Sequence, residues 1–179
     1  MKKGIAIIVI VALVVGIGIA YLITLKPHIL SSTNNTALAS SSVTACDVLS
    51  ETVAKQLLGS DATQPSGSDG DTSTSDITVS NCMYTVTSAG GAKASGVTVL
   101  ARVAKTSDGV STNKAQFADM PSGVQVVSGI GDKAYYSPTF HQLNVLKGSN
   151  WYIISYYTDS PANATLKTDT QLAKKLNFQ

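Results

Sequence analysis

The side chains best suited to covalent, acid–base or metal chemistry are few in this chain of 179 residues: Cys46 and Cys82, His28 and His141, and the aspartates Asp69, Asp71 and Asp76. A metal cage or a nucleophile–histidine relay needs several such groups to converge. His28 sits beside an apolar N-terminal run, so a site of that kind would rest on His141 alone, and a loop or edge histidine is the simpler reading. Asp69, Asp71 and Asp76 gather hard oxygen ligands of the kind Ca²⁺ takes. The calcium-loop pattern fails at its fifth, sixth and twelfth positions, which are Ser73, Thr74 and Ser80, and this leaves a solvated acidic loop. Gly129-Ile130-Gly131-Asp132 could offer backbone N–H groups to an anion, but two glycines beside an aspartate more simply make a turn that needs positive φ. On these grounds no catalytic residue, metal or cofactor is assigned.

Aromatic side chains are the more unusual feature. Tyr135, Tyr136, Phe140, Trp151, Tyr152, Tyr156 and Tyr157 crowd into two or three neighbouring strands. Alternation puts Trp151, Ile153, Ser155 and Tyr157 on one face of the last strand and Tyr152, Ile154 and Tyr156 on the other. If Gly148-Ser149 makes a two-residue turn, Val145 opposes Tyr152 and Leu143 opposes Ile154. Both faces are then apolar, as in a strand covered at least partly on each side. Core packing accounts for most such rings. The competing reading makes Tyr136, Trp151, Tyr152 and Tyr156 ligand-facing, lining a cleft for a glycan, a peptide or an apolar ligand.

The elements that must position these residues follow from periodicity. Ser50 as N-cap and Gly59 as stop bracket a short helix with Val53, Ala54, Leu57 and Leu58 on one face. Residues 60–76 form an unusually long loop, either mobile or functional. Cys82, Tyr84 and Val86 alternate with Met83, Thr85 and Thr87, and a second run from Val97 to Val103 completes a hairpin across Gly90-Gly91. Ser111 to Met120 reads as a second helix with Ala115, Phe117 and Ala118 as its limited apolar content. Short strands are expected at 124–128, 133–137, 142–147 and 151–158, then a helix near 165–176 with Leu166, Leu172, Ala173 and Leu176 inward. Lys174 and Lys175 suit the C-terminal end of its dipole. Hairpin-linked strands with inserted helices indicate an α+β fold, an antiparallel sheet with flanking helices.

The order Cys46-Asp47-Val48-Leu49-Ser50, a helix ending Leu57-Leu58-Gly59, then Asn81-Cys82-Met83-Tyr84 and Val127-Ser128-Gly129-Ile130-Gly131-Asp132-Lys133-Ala134-Tyr135 resembles a family of small uncharacterised bacterial cell-envelope domains. These are best populated among actinobacterial lipoproteins. Over residues 45–177 the resemblance implies a PsbP-like α+β sandwich and no established reaction. Those relatives commonly anchor through a lipidated cysteine, and here the sequence departs from them.

Residues 4–25 carry no charge, and 22 helical residues span roughly 33 Å, matching a hydrocarbon core of about 30 Å. They are expected to form one N-terminal transmembrane helix. Lys2 and Lys3 outweigh Lys26 and His28, which favours a cytoplasmic N-terminus. Residues 1–26 are thus tip and anchor, residues 27–45 a Ser/Thr/Asn-rich flexible linker that cannot bury enough apolar surface to fold, and residues 46–179 one extracytoplasmic domain. Three alternatives remain open: cleavage after Ala37-Leu38-Ala39, lipidation at Val43-Thr44-Ala45-Cys46, and a pilin-like leader at Lys3-Gly4. Ala12, Gly16 and Ala20 recur every four residues on one helix face, a stripe through which two copies could dimerise in lipid. Outside the anchor, ten basic residues face eleven acidic ones, too even a balance for nucleic acid.

In an oxidising compartment Cys46 and Cys82, the only two cysteines, are expected to pair. The competing reading leaves Cys46 free or lipidated and Cys82 buried. Function reads as a membrane-anchored domain that binds an envelope protein, a glycan or another wall component without catalysis. An envelope enzyme with an unrecognised site and a pilin-like structural subunit are the alternatives.

Overall fold

Period-two alternation in the second half of the chain becomes one antiparallel sheet of seven strands. A computed structural model describes residues 43–64, 71–87, 94–157 and 165–179. The expected span at 4–25, its Ala12, Gly16 and Ala20 stripe, and the linker up to residue 42 lie outside the described residues. Among the described residues no helix is long and apolar enough to cross a membrane.

The strands are β1 (Asp71–Ser73), β2 (Ile77–Thr87), β3 (Ala94–Ala104), β4 (Gln125–Val127), β5 (Lys133–Ser137), β6 (Gln142–Lys147) and β7 (Asn150–Tyr157). Their spatial order is β1-β2-β3-β7-β6-β5-β4. β7 therefore lies mid-sheet, between β3 and β6. Val145 opposes Tyr152 and Leu143 opposes Ile154, the register expected of a two-residue turn at Gly148-Ser149. Among the described residues four helices accompany the sheet: α1 (Ala45–Val48), α2 (Glu51–Leu58), α3 (Ser107–Ala118) and α4 (Leu166–Lys175).

One face of the sheet carries the main core. Cys82 and Tyr84 from β2, Val97, Val99, Ala101 and Val103 from β3, Tyr152 and Ile154 from β7, and Leu143 and Val145 from β6 pack there. They meet Leu49 and Ala54 from the N-terminal helices and Leu172, Ala173 and Leu176 from the last. Fully burying each large aliphatic side chain stabilises by about 1.5–3 kcal/mol. On the opposite face a smaller cluster of Phe117, Tyr135 and Leu146, with Val124 and Trp151 against it, sits under α3. The sheet is thus covered on both sides around β6 and β7, as their two-sided apolar pattern indicates.

Cys46 and Cys82 form a disulfide with Cα atoms 5.1 Å apart. This removes the reading of Cys46 as a free or lipidated thiol. Cys46 lies within α1 rather than just ahead of the first helix. Thr44 caps that short turn in a capping box with Asp47, and the Ala45 N–H donates to Ser80 Oγ at 2.8 Å, a second tie to β2.

Three expectations need correction. Residues 60–76 are not one long loop: Thr63 and Thr85 exchange backbone hydrogen bonds of 2.8 and 2.9 Å, and β1 adds an edge strand beside β2. Both hairpin strands extend beyond the alternating runs, to eleven residues each. The second helix begins at Ser107, because Thr106 is its N-cap. Its inward positions are Gly109, Asn113 and Phe117, while Ala115 and Ala118 face solvent. The buried Asn113 amide donates to the carbonyls of Arg102 and Ser149 at 3.0 Å each, a polar anchor where Ala115 and Ala118 give none.

Candidate functional site

A concave surface of mixed apolar and polar lining lies on the main-core face, where α2 and α4 flank Tyr156 of β7. Ser50 caps α2, its hydroxyl accepting from the Val53 N–H, and Thr165 caps α4 in a reciprocal pair with Thr168. Each helix packs its apolar stripe on the sheet and turns polar side chains to that surface. The resulting cleft has a volume of about 360 Å³. Leu57, Leu172 and the Tyr156 ring form its apolar surface; Gln56, Gln171 and Lys175 supply two amides and an ammonium, while the Thr168 hydroxyl at its edge donates to the Thr165 carbonyl at 2.7 Å. That mixture can stack on a ring, exchange hydrogen bonds with hydroxyls and acetamides, and pair with one anion.

Behind Tyr156 sits the most unusual group in the fold. Asp169, in the first turn of α4, has no solvent-accessible surface. Its Oδ1 accepts from the Tyr156 N–H at 2.9 Å, and its Oδ2 is buried without a hydrogen-bond partner. Burial pushes the carboxyl up to about 7, against the opposing pull of the Tyr156 N–H.

The four candidate aromatics do not share a cleft. Only Tyr156 lines this one. Tyr152 packs on Phe178, ring centroids 4.7 Å apart, and borders a neighbouring opening with Val53 and Lys175. Tyr136 is buried on the same face, its hydroxyl 3.2 Å from His141 Nδ1; burial first, and then the charge of Asp169, push this phenol up. Trp151 is on the other side of the sheet. Its Nε1–H donates to Asn144 Oδ1 at 3.0 Å, the Arg102 guanidinium lies 5.1 Å over its ring, and Phe117 meets it edge-on at 6.2 Å.

His141 closes the β5–β6 turn with φ 50°, a left-handed conformation uncommon for a residue with a Cβ. Among the described residues no group of three or more His, Cys, Asp or Glu is placed to hold a metal ion. The acidic segment has structural duties instead. Asp71 opens β1, and Asp76 accepts from the Thr106 and Ser75 hydroxyls at 2.7 Å each, which holds its carboxyl below the usual range. Asp69 lies outside the described residues.

Gly129 and Gly131 make the expected turn, at φ 74° and 55°. The Gly131 N–H donates to the Phe178 carbonyl at 2.5 Å and the Asp132 N–H to the Leu146 carbonyl at 2.8 Å. Asp132 in turn accepts from the Gly148 N–H at 2.7 Å. Those donors are committed within the fold and do not form an anion cradle.

Sequence reasoning misses Gln56, Thr168, Gln171 and Lys175, which read as ordinary solvated helix positions. Asp169 did leave a signal: it interrupts the stripe Leu166, Leu172, Ala173 and Leu176 at a spacing that puts it on the inward face. No family model, curated protein or solved structure matches this chain.

Proposed function

We propose that the chain is a single-pass membrane protein whose C-terminal domain stands outside the cytoplasm and binds an envelope glycan without transforming it. The observation that carries this reading is the cleft between α2 and α4. One tyrosine ring, two amides and a lysine suit an N-acetylated sugar chain bearing an acidic group. The disulfide is in keeping with an oxidising compartment. The uncharged run at 4–25, with Lys2 and Lys3 ahead of it, supplies the anchor and the direction. Ala12, Gly16 and Ala20 on one face of that helix would let two copies associate in lipid. The Cys46-Asp47-Val48-Leu49 and Gly129-Ile130-Gly131-Asp132 segments, which resemble those of small cell-envelope domains, support the same reading.

The test uses the full chain in detergent micelles, titrated with soluble N-acetylglucosamine–N-acetylmuramic acid fragments and followed by NMR. Saturable shifts should concentrate on Gln56, Thr168 and Gln171, and Tyr156→Ala should weaken binding at least tenfold. Absence of saturable shifts, or unchanged affinity in Tyr156→Ala, would sink the proposal.

A further inference from the structure

The unpartnered oxygen of Asp169 has a consequence for α4, the helix that carries it and forms one wall of the cleft. We infer that Asp169 is a proton-controlled latch: as a neutral acid it lets α4 dock closely on β7, and as a carboxylate it drives the helix away from the strand.

Among the described residues around Asp169, none brings a positive charge to the carboxyl. From β7 the carboxyl receives one backbone N–H, that of Tyr156. From β5 the Tyr136 phenol is near enough to feel the charge of Asp169, and it brings no positive charge. Alternation places Leu143, Val145 and Lys147 of β6 on this face, and the Lys147 ammonium is spent on the Asn177 carbonyl at 2.6 Å. Lys55 of α2 is held by Glu51 at 2.6 Å, one turn away on the same helix. On its own helix Lys167, Lys174 and Lys175 are exposed.

Among the described groups the favourable field is that of the helix N-terminus, which is weak. Burying an unpaired carboxylate costs more than that field returns, so desolvation wins. Release of the proton therefore favours any motion that admits water to Oδ2, and the nearest motion is separation of α4 from Tyr156.

The latch stands independently of what fills the cleft; only its effect on occupancy rests on the glycan reading. The measurement is amide hydrogen exchange of the full chain in detergent at pH 5 and pH 8, corrected for intrinsic exchange. Protection at Leu172 and Ala173 should fall at least tenfold at pH 8. Asp169→Asn, which cannot ionise, should keep the pH 5 level at both values, and His141→Gln should leave the response intact. Equal protection at the two pH values in the unmodified chain, a response that survives Asp169→Asn, or one lost in His141→Gln would each overturn the latch. If Asp169→Asn fails to fold, the ¹³C resonance of the Asp169 carboxyl decides: a midpoint above 6 that tracks the exchange supports the latch, and any other result refutes it.

Discussion

Asn113 and Arg102 hold each other twice: the Asn113 amide donates to the Arg102 carbonyl at 3.0 Å, and the Arg102 Nε–H donates to Asn113 Oδ1 at 3.4 Å. The same guanidinium reaches Gln116 Oε1 at 2.5 Å and lies over Trp151. α3 is thus fastened to β3 by a polar clamp beside the single large apolar residue, Phe117, that it buries. Asn113→Ala should lower stability by about 2–4 kcal/mol, because it leaves buried carbonyls unpaired as well as losing bonds. Ala115→Ser, on the exposed side of the same helix, should stay within about 0.5 kcal/mol. Thermal unfolding of the two variants makes the comparison.

A glycine inside a helix usually improves on replacement by alanine, by roughly 0.5–1 kcal/mol. Gly109 should do the reverse. A Cβ there would lie 2.1 Å from the Asp76 carbonyl oxygen and 3.0 Å from its carbon. That oxygen already accepts from the Lys105 N–H at 2.7 Å, so it cannot easily retreat. Gly109→Ala should therefore destabilise by more than about 1 kcal/mol, in the range of overpacked sites. A gain in melting temperature would show that the Asp76 segment yields.

Loss of the disulfide should be costly and non-additive. Its cysteines are 36 residues apart in sequence, and closing such a loop is worth roughly 3–4 kcal/mol in the chain-entropy model. Cys46→Ser and Cys82→Ser should lower the melting temperature by similar amounts, on the order of 10 °C. The double variant should fall little further, since either change alone opens the loop. Unequal single effects would mean that one sulfur matters chiefly through packing.

The pH profile of stability should slope downward through the neutral range. Asp169 is raised from an ordinary value near 4 to about 7 in the fold, so the unfolded chain releases this proton first. The contribution is fully present below about 4, declines as pH rises, and is gone above about 7. Asp76, lowered by the Thr106 and Ser75 hydroxyls, acts in the opposite sense and is lost only as acid protonates it. Unfolding of the full chain at pH 5 and pH 8 should show the unmodified protein weaker at pH 8 by on the order of 2 kcal/mol. Asp169→Asn should shrink most of that difference.

Topology is testable without a ligand. Protease added to intact spheroplasts should remove the C-terminal domain if the 4–25 segment is an anchor with its N-terminus inside. Digestion that begins only after lysis would reverse the orientation.

Much of the sheet is legible in the sequence because strand periodicity and turn length fix register locally. Val145 opposite Tyr152 follows from two residues of turn and a period of two. The pairing of Cys46 with Cys82 is likewise legible once the chain has only two cysteines. β1 is not, because Asp-Thr-Ser has no alternation and pairs only because β2 runs on past it. The early start of α3 is hidden by Gly109, whose helical place makes sense only beside the Asp76 carbonyl. The cleft is the least legible part. Gln56 and Gln171 are surface residues on their own helices, and only the adjacency of β3 and β7, strands far apart in the chain, sets those helices side by side.

The bond between Cys46 and Cys82 also decides how the domain bears force. A pull on the chain ahead of residue 43 arrives at Cys46 and crosses two sulfurs directly into β2, which is zippered along eleven residues to β3. The intervening chain, with α2 and β1, lies outside the load path. Gln56 and Leu57 are therefore mechanically insulated from such a pull. Reduction would place all 36 residues of separation in series with the load, and at full extension would lengthen the loaded chain by roughly 120 Å.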